Sequence, residues 1–435
     1  MLTREDNELL TRVGPGTPMG ALFRQYWLPT LLPSELPGND CPPTRVRILG
    51  EDLVAFRDTG GRVGMLADHC SHRGASLFFG RNEEHGLRCV YHGWKYDVDG
   101  RCLDMPNEPS ESNPSTGLRT SFREKIRQVA YPCEERSGVI WTYMGPRRSP
   151  PPFPALEWGW LPEDQHVAAK ITERCNWLQI LEGDVDTVHT EFLHSRIDAG
   201  DGPGMRPMDR NPRIEIAPTA CGFAKGARRN LDAERYYWRI YQFMMPAFVL
   251  LPAGGNTITY RVTVPMDNEH TMFWNGEYNP LAPLTDEQRA KHQESRAVGG
   301  YAPATSDPLT KWRTIASREN DYMLDYEAQR TKTFSGVPPI KLQDVAMTES
   351  MGPVLDRTNE HLGTTDAAVI QMRRCMLNAV QALRDQGTIP PGVDNPEGYA
   401  VRSATAFIPR DRSWLDASGE SLRVAPDRPL LTVGL

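Results

Sequence analysis

The sequence predicts an α+β protein of two main domains joined by an irregular connector. Three observations carry this. Runs of alternating apolar and polar residues, broken by Gly and Asp turns, recur over residues 45–145 and again over 213–278. Residues 145–154 (GPRRSPPPFP) hold five prolines and exclude regular structure. Residues 367–385 place Val369, Met372, Met376, Val380 and Leu383 near one helical stripe, the mark of a core helix. The expected division is an N-terminal segment (1–44) packing on the larger domain, a β-rich domain (45–148), and a larger domain (149–435) with an antiparallel sheet covered by helices. A chain of 435 residues, 39% apolar and 24% charged, has ample material for these cores.

In chain order, VRILGEDLVAFRD, RVGMLA and GVIWTYMG read as short strands of the first domain. Asp97-Val-Asp-Gly100 reads as a hairpin turn, because no twelve-residue calcium loop follows it. After the connector, CNWLQILEGDVDTVHTEFLH reads as helical, and YYWRIYQFMM, NTITYRVTVPM and TMFWNGEY as strands. Residues 281–310 are polar and rich in Pro and Gly, so a long loop or flap is expected there. The proline-rich tail after 388 carries no assignment.

Cys70-x-His72 and, sixteen residues later, Cys89-x-x-His92 form the most specific motif. Cys and His in pairs also bind structural zinc, but such pairs place like ligands side by side. Here each hook carries one thiolate and one imidazole. That is the Rieske arrangement of a [2Fe–2S] cluster, with one iron held by cysteines and the other by histidines. Neutral imidazoles make the cluster less negative and easier to reduce, so single-electron transfer is expected.

The net charge of −7 leaves no basic footprint for nucleic acid. The N-terminal MLTREDNELL lacks a signal peptide's apolar core, and no run of eighteen apolar residues appears. The other six cysteines (Cys41, Cys102, Cys133, Cys175, Cys221, Cys375) are scattered, which fits free thiols in a reducing cytoplasm. No membrane association is expected.

Asp186-Thr-Val-His189-Thr-Glu-Phe-Leu-His194 is a second constellation. Five residues on an ideal helix turn the side chains ~140° apart. The two histidines would meet at one ion only where the helix bulges or ends. Asp186, three before His189, lies on nearly the same face. An H-x4-H spacing alone is weak; beside the hooks it points to a second metal.

With these motifs the chain resembles the Rieske non-haem iron oxygenases, specifically the phthalate-dioxygenase-like terminal oxygenases. The resemblance runs from EDNELLTRVGPGTPMGALFRQYWLP through both hooks and EGDVDTVHTEFLH to QDVAMTESMGPVLDRTNEHLGTTD. Rieske proteins of respiratory chains carry a disulfide between the hooks; its positions here are Ala75 and Tyr91, so that class does not match. The resemblance implies a helix-grip-like catalytic domain and a mononuclear Fe(II) on two histidines and one carboxylate. The histidines carry over to His189 and His194, and the carboxylate to Asp344, 155 residues after His189. Spacing alone leaves Glu349, Asp356 and Asp325 open. Asp186 matches the family's bridging aspartate, which links an iron-bound histidine to a cluster histidine, by resemblance His92, of the neighbouring subunit. Many relatives carry Asn where this chain has Glu182, which leaves open whether position 182 helps to bind or tune the iron.

The resemblance further implies a homotrimer or a multiple of it. No Gly-x-Gly-x-x-Gly fingerprint follows a strand here, so a separate NAD(P)H-dependent reductase is expected to supply electrons. The implied reaction uses O2 to dihydroxylate the ring of an aromatic acid. O-demethylation of a methoxylated aromatic acid is the alternative, and a pure electron-transfer protein a more distant one. A buried carboxylate needs cationic partners. By resemblance to phthalate-binding relatives, Arg206 or Arg210 together with Arg239 are the candidates to clamp it.

Overall fold

Threonine caps open the first two helices. The computed structural model describes residues 1–108, 122–198, 209–252, 257–297 and 300–425. Thr3 accepts from the Asp6 N–H at the head of α1 (Arg4–Thr11). Thr17 does the same for Gly20 at α2 (Pro18–Phe23), where Pro18 takes the first helical position. Both helices pack on the long helix Ala367–Gln386 near the other end of the chain.

β1 (Trp27–Leu31) leads into two small antiparallel sheets. One holds β2 (Thr44–Ile48), β3 (Glu51–Arg57) and β4 (Val63–Ala67); the other holds β5 (Arg81–Glu83), β6 (Gly86–Arg88), β7 (Lys95–Tyr96) and β8 (Cys102–Asp104). The turn between β7 and β8 is the one expected at Asp97–Gly100, fixed by Asp97 Oδ1 accepting from the Asp99 and Arg101 N–H groups. β9 (Ala130–Tyr131) joins the first sheet beside β4. β10 (Cys133–Arg136) and β11 (Val139–Tyr143) then form a third sheet in the order β1-β11-β10. Val54, Phe56, Leu66, Leu77, Leu87 and Tyr96 close a core of this portion's own. The proline-rich connector has no helix or strand, yet it is packed: Trp27 donates its indole N–H to Pro151 O at 3.0 Å, and Phe153 meets Trp141 edge-on at 5.1 Å.

The larger portion is built on one antiparallel sheet. β12 (His166–Glu173) and α3 (Trp177–Val185) come first. β13 (Arg213–Thr219), β14 (Gly222–Asn230), β15 (Arg235–Met244), β16 (Phe248–Pro252), β17 (Ile258–Pro265) and β18 (Thr271–Tyr278) follow. Four helices come next: α4 (Asp286–Ala297), α5 (Tyr326–Thr331), α6 (Ile340–Ser350) and α7 (Ala367–Gln386). β19 (Ala404–Pro409) and α8 (Trp414–Ser418) end the described chain. The strand order is β12-β18-β17-β16-β15-β14-β13, with β19 alongside the first half of β15. α3 lies on β17 and packs against α6 and α7, while α7 reaches β13 and β14. The expected stripe of α7 faces inward: Val369, Met372, Met376 and Val380 are buried, and Leu383 is packed against the same core.

Two expectations are corrected. Residues 286–297 form a helix inside the segment read as a long loop. Thr285 and Gln288 cap it reciprocally, each side chain bonded to the other's backbone N–H. The polarity of the segment hid this signal. The tail after 388 is also not featureless, since ATAFIP supplies β19. No helix among the described residues is long and apolar enough to cross a membrane.

Candidate metal centres and the sheet beneath them

The two hooks close in the same way. Cys70 O accepts from the Gly74 N–H and Cys89 O from the Gly93 N–H, and each cysteine N–H donates to a carbonyl across the loop, Ala75 O and Trp94 O. Gly74 and Gly93 have φ of +74° and +78°, the left-handed region that glycine enters without strain. The reversals bury Cys70 and Cys89 and leave His72 and His92 at the surface with ring centroids 4.4 Å apart. Trp94 stacks on His72 at 4.2 Å. Two free buried thiols and two adjacent imidazoles, carried on paired hooks, are a donor set that fits a [2Fe–2S] cluster. The Tyr96 hydroxyl lies 3.3 Å from Cys70 Sγ and 2.9 Å from Ser71 Oγ, where hydrogen bonding to sulfur tunes a cluster.

α3 starts at Asn176, whose side chain accepts from Leu178 N–H, and stops at Asp186, whose N–H still donates to Glu182 O. The chain then turns. Asp186 Oδ1 accepts from Val188 N–H, and Oδ2 from both the N–H and the ring Nδ1 of His189, each at 3.0 Å. Burial pushes the Asp186 carboxyl up, but the hydrogen bond and charge of His189 and the two backbone donors outweigh it and hold it at about 2. His189 opens a short 3-10 turn, so its spacing to His194 is not that of an α-helix. The rings cross at 82° with centroids 5.1 Å apart.

Asp344 arrives from α6. Its Oδ1 lies 3.0 Å from His194 Nε2 and 3.7 Å from His189 Nε2, and one donor atom from each of the three residues falls within 4.8 Å of the others. Both Nδ1 atoms are engaged, His189 on Asp186 and His194 on Gln343 Oε1 at 2.7 Å. The Gln343 amide is fixed by donating to Val337 O at 2.8 Å, so its oxygen can only accept from His194. Both Nε2 atoms therefore face Asp344, as donors while the ring is protonated and as lone pairs for a metal once it is neutral. Burial acts to raise Asp344, but the His194 hydrogen bond and Arg261 hold its carboxyl well below the ordinary range. Two imidazole nitrogens, one ionised carboxylate and a buried, unpartnered Asp344 Oδ2 fit a mononuclear Fe(II) with open positions.

The alternatives that spacing left open are engaged elsewhere. Glu349 accepts from Tyr322 and Arg174, Asp356 from Thr358, and Asp325 caps α5. Glu182 is bound by Arg357 and by Arg373, which also pairs with Glu360, so its carboxylate serves an ion-pair network.

Beneath this loop the sheet carries a row of cations. Register places Lys225 opposite Tyr241, Ala227 opposite Arg239 and Arg229 opposite Tyr237, so all six share one face. Lys225 (2% exposed) donates to Val185 O at 2.7 Å and sits over the Tyr241 ring. Burial pulls its ammonium down to about 7; Asp186 opposes this, and Arg239 and Arg229 add to it. Arg229 (1% exposed) pairs with Glu191 at 2.6 Å through Nη2, while its Nε and Nη1 have no partner among the described residues. Arg239 leaves Nη1 without a partner. Of the other expected arginines, Arg210 is exposed with its guanidinium 5.5 Å from the Phe192 ring, and Arg206 lies outside the described residues. Sequence reading missed Lys225, Gln343 and Arg261, and passed over Arg229 among the arginines of this segment. For Lys225 and Arg229, the available signal was the alternation Lys225-x-Ala227-x-Arg229 in a strand.

Residues 26–122 match the Rieske [2Fe-2S] domain family, and residues 142–428 match the family described as LigXa C-terminal domain like. The chain is 38% identical to the 3-chlorobenzoate-3,4-dioxygenase oxygenase subunit of Comamonas testosteroni, over 95% of this chain and 97% of that one. It is 37% identical to the phthalate 4,5-dioxygenase oxygenase subunit of Pseudomonas putida, over 96% and 94%. The solved structure of the Pseudomonas putida CBB5 NdmA QL mutant with theobromine shares the fold, with a TM-score of 0.58 at 18% identity over 91% of this chain and 99% of that one.

Proposed function

The chain belongs to the Rieske non-haem iron oxygenases as a terminal oxygenase of the phthalate-dioxygenase-like group, and on that footing we propose that it dihydroxylates the ring of an aromatic carboxylic acid. The observation that carries the substrate class is the cation row. Among the described residues no carboxylate is bonded to Lys225 or Arg239, and Arg229 keeps two free donors beside them. Lys225, buried with only a carbonyl bonded to its ammonium, is costly to keep charged unless an anion arrives. Ala227, whose side chain is a single methyl, lies opposite Arg239 and between Lys225 and Arg229. The two relatives named above are named for chlorobenzoate and phthalate, both aromatic carboxylates.

Cys70, His72, Cys89 and His92 would hold the cluster, and His189, His194 and Asp344 the iron. When bound, the cluster relays single electrons and the iron uses them to reduce O2. The protein's part is positional. Asp186 and Gln343 fix both histidine tautomers, and the cation row orients the acid so that its ring meets the iron. O2, two electrons and two protons then add across one ring bond to give a cis-diol. A separate NAD(P)H-dependent reductase supplies the electrons.

Asp186 is the proposed inlet for them. Its side chain stays 21% exposed and lines a cleft of about 440 Å³ rimmed by Met347 and Met351. Those methionines are exposed, as are Phe79, Val90 and Tyr91 in the hook-bearing portion. Two apolar patches on different portions of one chain favour a head-to-tail ring, here a trimer, with His92 of one subunit reaching Asp186 of the next.

The test is a screen of aromatic acids with a surrogate reductase, reading O2 uptake and product mass. A gain of two oxygens and two hydrogens supports the proposal. Loss of CH2 with release of formaldehyde replaces it with O-demethylation, and no acid-dependent O2 uptake rejects both.

A further inference from the structure

Asp344 is placed asymmetrically. Oδ1 faces the two imidazoles, while Oδ2 is buried and makes no hydrogen bond among the described residues. Arg261 Nη1 lies 3.8 Å from that second oxygen and 2.5 Å from Asp184 Oδ1. Arg261 rises from β17, opposite Val249 and Asn275, and leaves its Nε without a partner. Asp184 is buried in α3, two residues before the cap at Asp186, and its own Oδ2 is unpartnered. One guanidinium thus stands between two carboxylates, and about 1 Å of movement carries its hydrogen bond from one to the other.

We propose that Arg261 and Asp184 are a positioning pair that sets how many oxygens Asp344 presents to the metal. With Arg261 drawn toward Oδ2, Asp344 binds through Oδ1 alone and a coordination position stays open. With Arg261 held on Asp184, Oδ2 is free to swing in and fill that position. An isolated buried ion pair contributes little net stability, because desolvation offsets its attraction. A pair set directly behind a ligand carboxylate instead orients the ligand and tunes the ion. The inference rests on His189, His194 and Asp344 holding the metal.

The experiment uses the full chain with its cluster oxidised and Fe(II) bound, titrated with nitric oxide as a probe of the open position. The adduct is read by electron paramagnetic resonance, and iron is counted per chain. Arg261→Met, which keeps length and removes charge, is expected to bind nitric oxide about tenfold more weakly at full iron content, with Arg261→Lys recovering part of the loss. Asp184→Asn, which weakens the competing partner, is expected to bind it as tightly as the wild type or more so. Wild-type affinity in a fully loaded Arg261→Met overturns the proposal, and so does weakened affinity in Asp184→Asn. The second arm decides alone if Arg261→Met does not fold. A wild-type chain that holds its cluster and no further iron overturns the triad reading and this inference together.

Discussion

His194 donates its Nδ1–H to Gln343 Oε1 at 2.7 Å, and Gln343 is the residue immediately before Asp344. One turn of α6 therefore supplies one residue of the proposed metal triad and also the group that orients another. Replacing Gln343 by Leu removes the acceptor and leaves the His194 tautomer unfixed. The expected result is a 10–100-fold loss of iron affinity, with cluster absorbance unchanged and Gln343→Glu retaining the metal. Metal analysis under graded chelation measures it.

Asp186 shapes its own loop and remains reachable from outside. Asp186→Asn keeps one acceptor oxygen, enough for one of the two backbone N–H groups, and removes the charge. Both metals should stay bound while turnover falls by on the order of 10–100-fold. In single-turnover mixing the reduced cluster should stay reduced in the presence of substrate and O2; reoxidation at the wild-type rate would remove Asp186 from the electron path. Its folded pKa of about 2 lies below the unfolded value of about 4. Its contribution to stability is therefore fully present above pH ~4 and is lost as pH falls toward 2.

Lys225 gives a proton signature for acid binding. Its folded value of about 7 lies below the unfolded ~10.4. Between those limits the unfolded chain holds more protons, so this residue makes stability rise with pH there and contributes no slope below pH 7. A bound carboxylate favours the ammonium and raises its pKa. Binding of the aromatic acid at pH 8 should then take up close to one proton per chain, measured by calorimetry in buffers of different ionisation enthalpy. Lys225→Met should bind more weakly and without that uptake.

Glu182 holds the buried Arg357 and Arg373, at 2.8 and 2.7 Å. Glu182→Ala leaves both guanidiniums short of a counter-charge, at a cost of about 3–5 kcal/mol. The thermal midpoint should fall while the wild-type iron content is kept at low temperature. Loss of iron from a folded variant would instead assign position 182 to the metal.

What was legible in the sequence was local. The Asp97 turn, the α7 stripe and the hooks each lie within a short window, where spacing alone specifies geometry. His189 and His194 were legible as a pair, and their convergence only on the condition that the helix ends before them, which α3 does at Asp186. Asp344 could be chosen over Glu349, Asp356 and Asp325 only by resemblance, since nothing near it in sequence marks it. Lys225, Arg229 and Arg261 gain their meaning from strand register and from helices laid over the sheet, which no window contains. α4 was hidden because a helix made of charged and polar residues has the composition of a loop.

The donor set pins the segment just after α3 to α6, so one ion would close a loop from His194 to Asp344 of 150 residues. A ligand that binds only the folded chain stabilises it by mass action, by about 2.7 kcal/mol at a free concentration one hundred times its dissociation constant. Resistance to heat and protease should therefore track the free Fe(II) level, even in a preparation given no substrate. Under a chelator, α6 and the His189–His194 turn should become the first protease-sensitive part of the larger portion. Iron supply would then govern how long the protein lasts as well as how fast it works.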